Sequence, residues 1–391
     1  MFSPTLFRSY FIGGFECSTH RRRDGRRLDL LASTHHDRLA AQDYRQLAGH
    51  GVRTVRDGLR WHLIEASPPG RYDWSSFLPM LRAARDADVQ VIWDLCHYGW
   101  PDSVDIWSPA FVDRFARFAA AAARVVRDET DAVPFYCPVN EISYWAWAGG
   151  EVGRFNPSAR RRGADLKRQL VRAAIAAIEA IRGVDPRARI VQIDPVINVV
   201  ADPNRPRDRR AAEAYRGAQF EAWDMVAGWL SPELGGDPAY LDIIGVNYYS
   251  DNQWILGGPT VELGHPLYRP FREILVETYA RYGRPIFVAE TGAEADAQAA
   301  WLRYVAAEVR AAVVGGAPVE GICLYPVLHY PGWDNDRHCE CGLLSLIDDE
   351  GRRAVDQFLA DELRREQAIF ANLFGAAGAA RTGAAAGVAA S

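Results

Sequence analysis

The amino-acid sequence predicts an α/β fold, a single (β/α)8 barrel of the TIM type. Eight short runs rich in β-branched and aromatic residues are spread along the chain, and the stretches between them are long enough for a helix. Eight is the number of parallel strands that closes such a barrel. Most of these runs are also almost continuously apolar, as parallel strands covered on both faces must be.

The eight runs give the strands in chain order. Each is bounded by glycine, proline or charged residues, which are typical of strand ends and turns. The predicted strands are residues 11–15, 54–56, 89–94, 135–140, 189–194, 243–247, 286–290 and 321–325.

Helices are predicted between the strands by apolar residues that recur at helical spacing. Residues 111–126 carry Phe111, Phe115 and Phe118 on one face with arginines between them, and residues 166–181 and 299–314 show the same pattern. Ser108 and Pro109 precede the first of these helices, a common way for a helix to begin.

The predicted domain boundary lies near the end of the chain. Helical packing is expected to continue to about Phe374, so residues 1–374 form the barrel domain. Residues 375–391 are almost all alanine and glycine. Such a segment offers little to pack, so we expect a disordered tail.

Composition excludes several classes of function. The net charge of −5 provides no basic surface for nucleic acid or an anionic membrane. No segment reaches the ~20 apolar residues of a membrane span, and residues 1–8 lack the pattern of a signal peptide. Together with cysteines that are predicted to be mostly buried and unpaired, these features predict a cytoplasmic protein.

His338, Cys339 and Cys341 lack the spacing of a zinc site, so no metal or cofactor is expected.

Two glutamates stand directly after predicted strands. Glu141 ends the segment Pro-Val-Asn-Glu at 138–141, and Glu290 ends Val-Ala-Glu at 288–290. Residues at the carboxyl ends of barrel strands face the active site. Two carboxylates facing one cavity are the minimum equipment for cleaving a glycosidic bond.

Other strand ends carry polar or aromatic side chains that suit a sugar. A pyranose offers hydroxyl groups that donate and accept hydrogen bonds, and an apolar face that stacks on an aromatic ring. Glycine loops that cradle phosphate, and a Ser-His-Asp order, are not evident. The candidate residues in chain order are Arg56, Asp94, His97, Asn140, Asp194, Asn247, Tyr249, His329, Trp333 and Asp334.

Several motifs occur in an order that is typical of one family. They are Arg56 with Trp61, Leu-Cys-His-Tyr-Gly-Trp-Pro at 95–101, Pro-Val-Asn-Glu at 138–141, Asp-Ile-Ile-Gly-Val-Asn-Tyr-Tyr at 242–249 and Glu-Thr-Gly at 290–292. From residue 11 to 348, the chain resembles a clan A glycoside hydrolase. It is closest to family 1, the retaining β-glucosidase and β-galactosidase group, as a divergent member.

Two positions depart from that family. The family carries a glutamine after strand one, where this chain has Cys17-Ser18-Thr19-His20. It also carries a glutamate before the last tryptophan, where this chain has Gly332. His20 or Asp334 could replace these sugar-binding side chains. The resemblance therefore supports the catalytic centre more strongly than the specificity pocket.

The resemblance and the strand ends together assign roles. Glu290 is expected to be the nucleophile, ionised beside Arg56 and oriented by Tyr249, and Glu141 the acid/base. Asn140 is expected to bind the sugar 2-hydroxyl, His97 a neighbouring hydroxyl and Trp333 the apolar face, with Asn247 supporting the site. The alternatives are a structural ion pair for Glu290, an exposed loop position for Glu141, a helix cap for Asn140, a structural role for His97 and a core position for Trp333. Asp94 and Asp194 either belong to the site or cap the helix that follows their strand.

The expected function is that of a retaining exo-β-glycosidase that acts on a small carbohydrate or glycoside. No cofactor, no nucleic-acid partner and no membrane partner are expected. Retention requires the two carboxyl groups to lie ~5–5.5 Å apart. A transglycosylase using the same residues and an inactive sugar-binding barrel are the alternatives. The sequence leaves open the sugar, the aglycone and the oligomeric state. Four tryptophans after strands three and four either line a leaving-group subsite or pack under loops: Trp100, Trp107, Trp145 and Trp147.

Overall fold

The computed structural model describes residues 4–65 and 69–388. Eight parallel strands form a closed barrel in which each strand pairs with its neighbours in the chain and the last pairs with the first. This confirms the predicted (β/α)8 barrel. The strands are β1 Phe11–Gly14, β2 Thr54–Gly58, β3 Gln90–Asp94, β4 Phe135–Cys137, β5 Arg189–Pro195, β6 Ile243–Asn247, β7 Ile286–Thr291 and β8 Val319–Leu324.

The predicted strands agree with the observed ones to within three residues at each end. The largest difference is in β4, which ends at Cys137, whereas the apolar run predicts a strand to residue 140. Pro138 has no N–H to continue the ladder, so the strand stops before it. Asn140 and Glu141 therefore lie in the loop after β4.

Helices surround the barrel, and the three predicted from periodicity are each extended by one to three residues. The α-helices of nine or more residues are α1 His36–Gly49, α2 Leu78–Asp86, α3 Pro109–Glu129, α4 Gly163–Val184, α5 Arg209–Gly217, α6 Phe271–Tyr282, α7 Gln298–Val314 and α8 Gln357–Val388. Shorter α-helices are Leu30–Ser33, Trp61–Ile64, Ile142–Trp145 and Glu221–Val226.

The buried residues form two clusters, one on each face of the sheet. The smaller cluster fills the barrel interior and includes Ile12, Ile92, Ile193, Phe287 and Cys323. The larger cluster lies between the sheet and the helices. Apolar residues on both faces of the strands explain the nearly continuous apolar runs in the sequence.

The amino-terminal segment closes the bottom of the barrel. Phe7 lies 5.7 Å from Phe135 and 5.1 Å from Phe287, measured between ring centroids. The backbone N–H groups of Thr5 and Leu6 donate to the Glu320 carboxylate at 2.8 and 3.2 Å. Polar and apolar contacts together hold this segment against the amino ends of the strands.

The last helix also packs at this end. Phe370 of α8 stacks on Tyr10 with ring centroids 4.4 Å apart, and Leu373 and Phe374 pack against the core. The packing thus includes residues 373 and 374, and the domain boundary after residue 374 stays a prediction. Helix α8 extends into the Ala/Gly-rich segment after Gly375, for which the disordered tail stays a prediction.

Small two-stranded sheets lie at the mouth of the barrel. Asn198–Val200 pairs with Gln253–Ile255, Tyr330–Pro331 with His338–Cys339, and Leu344–Ile347 with Arg353–Val355. Among the described residues, no helix combines the length and apolar character that crossing a membrane requires.

Candidate active site

Glu141 and Glu290 line one cavity of about 1340 Å³ at the carboxyl ends of the strands. Glu290 lies in β7, and Glu141 follows β4. They are only 5 % and 8 % exposed, respectively, so each carboxyl group is largely withdrawn from water. Glu141 and Glu290 are 149 positions apart in the sequence, and both face this one cavity.

A strained backbone presents Glu141 to this cavity. Its φ of 47° lies in the left-handed region, which residues other than glycine seldom adopt. The Glu141 N–H donates to the Ile193 carbonyl at 3.0 Å. Asp194, at the end of β5, accepts from the Ser143 N–H at 3.0 and 3.1 Å. Strand β5 thus fixes the turn that carries Glu141. Among the residues that the structure describes, Asp194 accepts from the first turn of the helix Ile142–Trp145, which follows β4, and not, as the capping alternative predicts, from the helix that follows its own strand.

Two side chains donate hydrogen bonds to the Glu141 carboxylate. The Tyr98 hydroxyl donates to Oε2, and Asn247 Nδ2 donates to Oε1 at 2.8 Å. Both bonds favour the ionised form, but burial and then the charge of Glu290 raise the pKa of Glu141 to about 8. A proton therefore remains on Glu141 near neutral pH, as a general acid requires.

The Glu290 carboxylate has a different environment. Arg56 Nη1 donates to Oε1 at 2.6 Å, and the Tyr249 hydroxyl donates to Oε2 at 3.0 Å. The arginine is fully buried, so its positive charge is poorly screened by solvent. Both oxygens are thereby oriented and the negative charge is compensated, which suits a nucleophile.

Arg56 also organises the side chains behind the carboxylates. It donates to both oxygens of Asp94, at 3.0 and 2.6 Å, and Nη2 donates to Asn140 Oδ1 at 2.5 Å. A guanidinium can only donate, so the Asn140 oxygen must face Arg56 and its Nδ2 must face the other way. Nδ2 then lies 3.0 Å from His97 Nε2.

This arrangement fixes the tautomer of His97. Because Asn140 Nδ2 donates, His97 Nε2 must accept. The ring proton is therefore on Nδ1, which lies 2.9 Å from Asp94 Oδ2. Asn140 Nδ2 also donates to the Tyr98 hydroxyl at 3.1 Å. The hydrogen bonds form one chain from Glu290 through Arg56 and Asn140 to Tyr98 and Glu141.

The predicted site residues occupy two positions relative to the cavity. His97, Tyr249, Trp333 and Asp334 line it, as do the two glutamates. Arg56, Asn140 and Asn247 are fully buried behind it and hold the carboxylates or each other. Contact of Asn140 with a sugar hydroxyl stays a prediction.

Trp333 lies at the cavity wall with His20 beneath it. The two ring centroids are 4.1 Å apart, and His20 Nε2 lies 3.3 Å from the Trp333 carbonyl oxygen. Burial lowers the pKa of His20 to about 3, so the ring is neutral. His20 therefore supports the tryptophan.

Gly332 and Asp334 explain the departure from the family pattern at this tryptophan. A Cβ on Gly332 would lie 2.4 Å from the Asn335 carbonyl oxygen, which leaves no room for a glutamate. Asp334 forms an ion pair with Arg154 at the cavity edge, and both side chains are 43 % exposed. Its carboxylate is already partnered, so a sugar would have to share it with Arg154.

The four rim tryptophans have different environments. Trp147 is 40 % exposed and lines the cavity. Trp145 is fully buried, and its Nε1 donates to the Asn156 carbonyl at 2.9 Å. Trp107 lies under the Arg162 guanidinium, 3.6 Å from its carbon to the ring centroid, and Trp100 packs against the core. Only Trp147 of these four is placed to touch a ligand in the cavity.

One cluster of side chains has the spacing of metal ligands. In the described part of the chain, the one group with metal-ligand spacing is Cys17, Asp94 and His97, all buried. Both Asp94 oxygens already accept from Arg56, so a cation there would stand beside a fixed positive charge. The donor set does not fit a metal ion.

Sequence reasoning missed two residues of the site. Tyr98 directly follows His97 and adopts a φ of 64°, and this left-handed turn brings its hydroxyl to Glu141. Glu16 lies two residues beyond β1 and lines the cavity. The signal for Glu16 was present in the sequence, because a charged residue directly after a predicted strand is the pattern that identified Glu141 and Glu290.

Comparison with known proteins places the fold among glycosidase barrels. No protein-family model and no curated protein matches the chain. Solved structures do match over nearly its whole length, and they include family 1 β-glucosidases. The predicted resemblance to this group is confirmed for the fold.

Three of these structures illustrate the likeness. A family 1 β-glucosidase from Thermotoga maritima has a TM-score of 0.74 and 15 % identity, covering 94 % of this chain and 98 % of its own. The β-glucosidase from Thermotoga maritima in complex with glucoimidazole has a TM-score of 0.76, 15 % identity and coverages of 94 % and 99 %. The AHE enzyme from Alicyclobacillus herbarius has a TM-score of 0.76, 16 % identity and coverages of 94 % and 100 %.

Proposed function

We propose that this protein is a retaining exo-β-glycosidase in which Glu290 is the nucleophile and Glu141 is the acid/base. The observation that carries the proposal is the contrast between two carboxyl groups in one cavity. Glu290 is held by a buried arginine and a tyrosine, whereas burial and the neighbouring charge keep a proton on Glu141. Paired carboxyl groups with pKa values driven apart are typical of glycosidases.

The proposed reaction has two steps. In the first, a Glu290 oxygen attacks the anomeric carbon while Glu141 gives its proton to the departing glycosidic oxygen. The new ester removes the charge of Glu290, which had raised the pKa of Glu141. Glu141 then takes a proton from water as the water attacks the ester, and both carboxyl groups return to their starting state.

Sugar binding is assigned to the cavity wall. Trp333 offers a ring face for stacking, and Asp334 lies beside it. We assign His97 and Asn140 to the sugar hydroxyls, for which the hydrogen bond between Asn140 Nδ2 and His97 Nε2 would have to be exchanged for bonds to the sugar. Tyr249 and Asn247 orient the two carboxylates. The comparisons support a carbohydrate substrate, since the similar β-glucosidase from Thermotoga maritima has been solved in complex with glucoimidazole and in complex with deoxynojirimycin.

The cellular location is part of the proposal. All six cysteines are free, and Cys17, Cys96, Cys137 and Cys323 are buried. Free thiols in this number are typical of a reducing compartment. We therefore expect the enzyme to act in the cytoplasm on a small glycoside.

The decisive experiment replaces the nucleophile. We expect Glu290→Ala to lower kcat on aryl β-glycosides by about 10³-fold or more, since the covalent step is lost. Azide should restore turnover by entering the vacated space, giving a glycosyl azide of inverted configuration. The wild type should release the β-sugar first, as followed by NMR, and an added alcohol will measure any transfer to acceptors.

Glu294→Ala is the matched control, because Glu294 also lines the cavity near the end of β7 but pairs with the exposed Arg337. It should retain turnover within a few-fold. Unchanged turnover in Glu290→Ala, or release of the α-sugar first by the wild type, contradicts the proposal.

A further inference from the structure

Glu16 is a third acidic residue in the cavity that the proposed reaction does not use. Its side chain is 9 % exposed, and it lines the same cavity as Glu141 and Glu290. Oε1 accepts a hydrogen bond from the Ser18 N–H at 2.9 Å. Within the described residues, Oε2 has no hydrogen-bond partner.

The basic groups nearest to Glu16 are already committed elsewhere. His97 Nε2 is 3.8 Å from Glu16 Oε1, but this nitrogen accepts from Asn140 and has no proton to give. Arg56 directs its N–H groups to Asp94, Glu290, Asn140 and the Ala289 carbonyl. Neither group therefore donates a hydrogen bond to Glu16. Burial raises the pKa of this carboxyl group, and the charge of Arg56 acts against that rise.

The phenol next to Glu16 is also without a partner. The Tyr325 hydroxyl is buried and forms no hydrogen bond in the described part of the chain. Tyr325 lines the cavity beside Glu16. Its pKa is raised well above the usual value by burial and then by the charge of Glu16, so this hydroxyl stays protonated.

A largely buried carboxylate with an empty acceptor site is costly unless a donor is supplied. Glu16 and Glu290 line the same cavity, and the charge of Glu290 acts on Glu16. A neutral sugar supplies hydroxyl donors and adds no negative charge beside the carboxyl groups of Glu16 and Glu290. An acidic group placed next to these two side chains would be repelled by them.

We propose that Glu16 is a specificity-determining residue that accepts hydrogen bonds from hydroxyl groups of a neutral glycone through its free Oε2. This inference rests on the proposed function for the position of the glycone. Glu16 takes no part in proton transfer. It selects the sugar by the hydroxyl that reaches it.

Binding of uncleavable ligands tests the inference without turnover. The probes are the 4-nitrophenyl 1-thio-β-glycosides of glucose and galactose and their monodeoxy derivatives, titrated by calorimetry. We expect Glu16→Ala to weaken the better parent ligand about 10- to 100-fold, the usual worth of a hydrogen bond to a charged group. One monodeoxy derivative should bind wild type and variant equally, because it lacks the hydroxyl that Glu16 contacts.

Asp251→Ala is the matched control, because Asp251 also lines the cavity but is exposed and accepts no hydrogen bond from the described residues. It should bind the parent within twofold of the wild type. Glu16→Gln is the second variant, since it preserves the shape and the acceptor for Ser18. It should weaken the parent at least threefold even if the alanine variant fails to fold.

Three results overturn the inference: parent binding by both variants within twofold of wild type, an equal loss across all the deoxy derivatives, or a wild type that binds no thioglycoside. The proposed function is judged separately by cleavage of the oxygen glycosides. If oxygen glycosides are cleaved but neither binding nor cleavage depends on Glu16, the proposed function stands and this inference is wrong. If thioglycoside binding depends on Glu16 but no oxygen glycoside is cleaved, this inference stands and the proposed function is wrong.

Discussion

Glu141 and Glu290 are chemically identical side chains in unlike surroundings. Arg56 donates to Glu290, whereas Glu141 accepts from a phenol and an amide. Because each buried carboxyl group senses the charge of the other, ionisation of Glu290 helps to keep Glu141 protonated. The proposed roles of nucleophile and acid/base therefore depend on which carboxylate accepts the hydrogen bond from the buried Arg56.

Tyr98 sets the pH dependence of this pair. Burial and the charge of Glu290 raise the pKa of Glu141, the hydrogen bond from Tyr98 acts against that rise, and the net value is about 8. In the proposed mechanism the acid form of Glu141 is the active one, so wild-type kcat/KM should fall as pH rises through about 8. In Tyr98→Phe the pKa of Glu141 should rise further, moving this alkaline limb up by about 1 pH unit.

The measurement is a pH profile of kcat/KM on an aryl glycoside. Tyr144→Phe is the control, because Tyr144 lines the same cavity but its hydroxyl accepts from Arg154. Its alkaline limb should stay in place. A limb that moves to lower pH in Tyr98→Phe contradicts the assigned role.

Helix α1 is joined to the barrel by a buried polar cluster. His36 of α1 lies 2.7 Å from Asp43 and 2.8 Å from Asp57 of β2, measured between nitrogen and oxygen atoms. Arg353, in the hairpin Leu344–Ile347 with Arg353–Val355, pairs with Asp43 at 2.6 Å. A helix, a barrel strand and a carboxyl-terminal hairpin therefore share one set of charges.

This cluster predicts a pH-dependent stability. Burial alone would lower the pKa of His36, but the charges of Asp57 and Asp43 raise it to about 9. The folded pKa lies above the unfolded value of about 6.5, so the stabilisation is complete below pH 6.5 and is lost as pH rises through about 9. The loss should be roughly 3 kcal/mol.

Urea unfolding at a series of pH values measures this effect. His36→Gln keeps a polar side chain that does not titrate, so its stability should change much less than that of the wild type between pH 6.5 and 9. Parallel pH dependence in the two proteins would show that other groups are responsible.

At the scale of the whole molecule, the ends of the chain contribute unequally to stability. Phe370 of α8 stacks on Tyr10 and contacts Phe11 of β1. A chain cut after Glu366 loses this packing, and the Tm should fall by about 5 °C or more. A chain cut after Gly375 loses only the Ala/Gly-rich segment, and its Tm should stay within about 2 °C of the full chain.

Differential scanning calorimetry compares the two truncations directly. A large fall in Tm for the cut after Gly375 would mean that the segment packs, and the predicted disordered tail would be wrong. Equal Tm values for all three chains would mean that Phe370 contributes little.

The sequence predicts the barrel well because its signals are local. Apolar runs and helical spacing show the strands and helices, and the ends of the predicted strands locate Glu141 and Glu290. The sequence does not predict the roles of Tyr98 and Gly332, because these roles depend on backbone conformation. Tyr98 adopts a left-handed turn, and Gly332 closely approaches the Asn335 carbonyl. Rim loops pack by tertiary contact, and no periodic pattern encodes them.

Phe7 and the Phe370–Tyr10 stack lie at the amino ends of the barrel strands, on the side away from the cavity. A chemical label placed beside Phe370 would therefore be remote from incoming ligand and would leave the mouth of the barrel open.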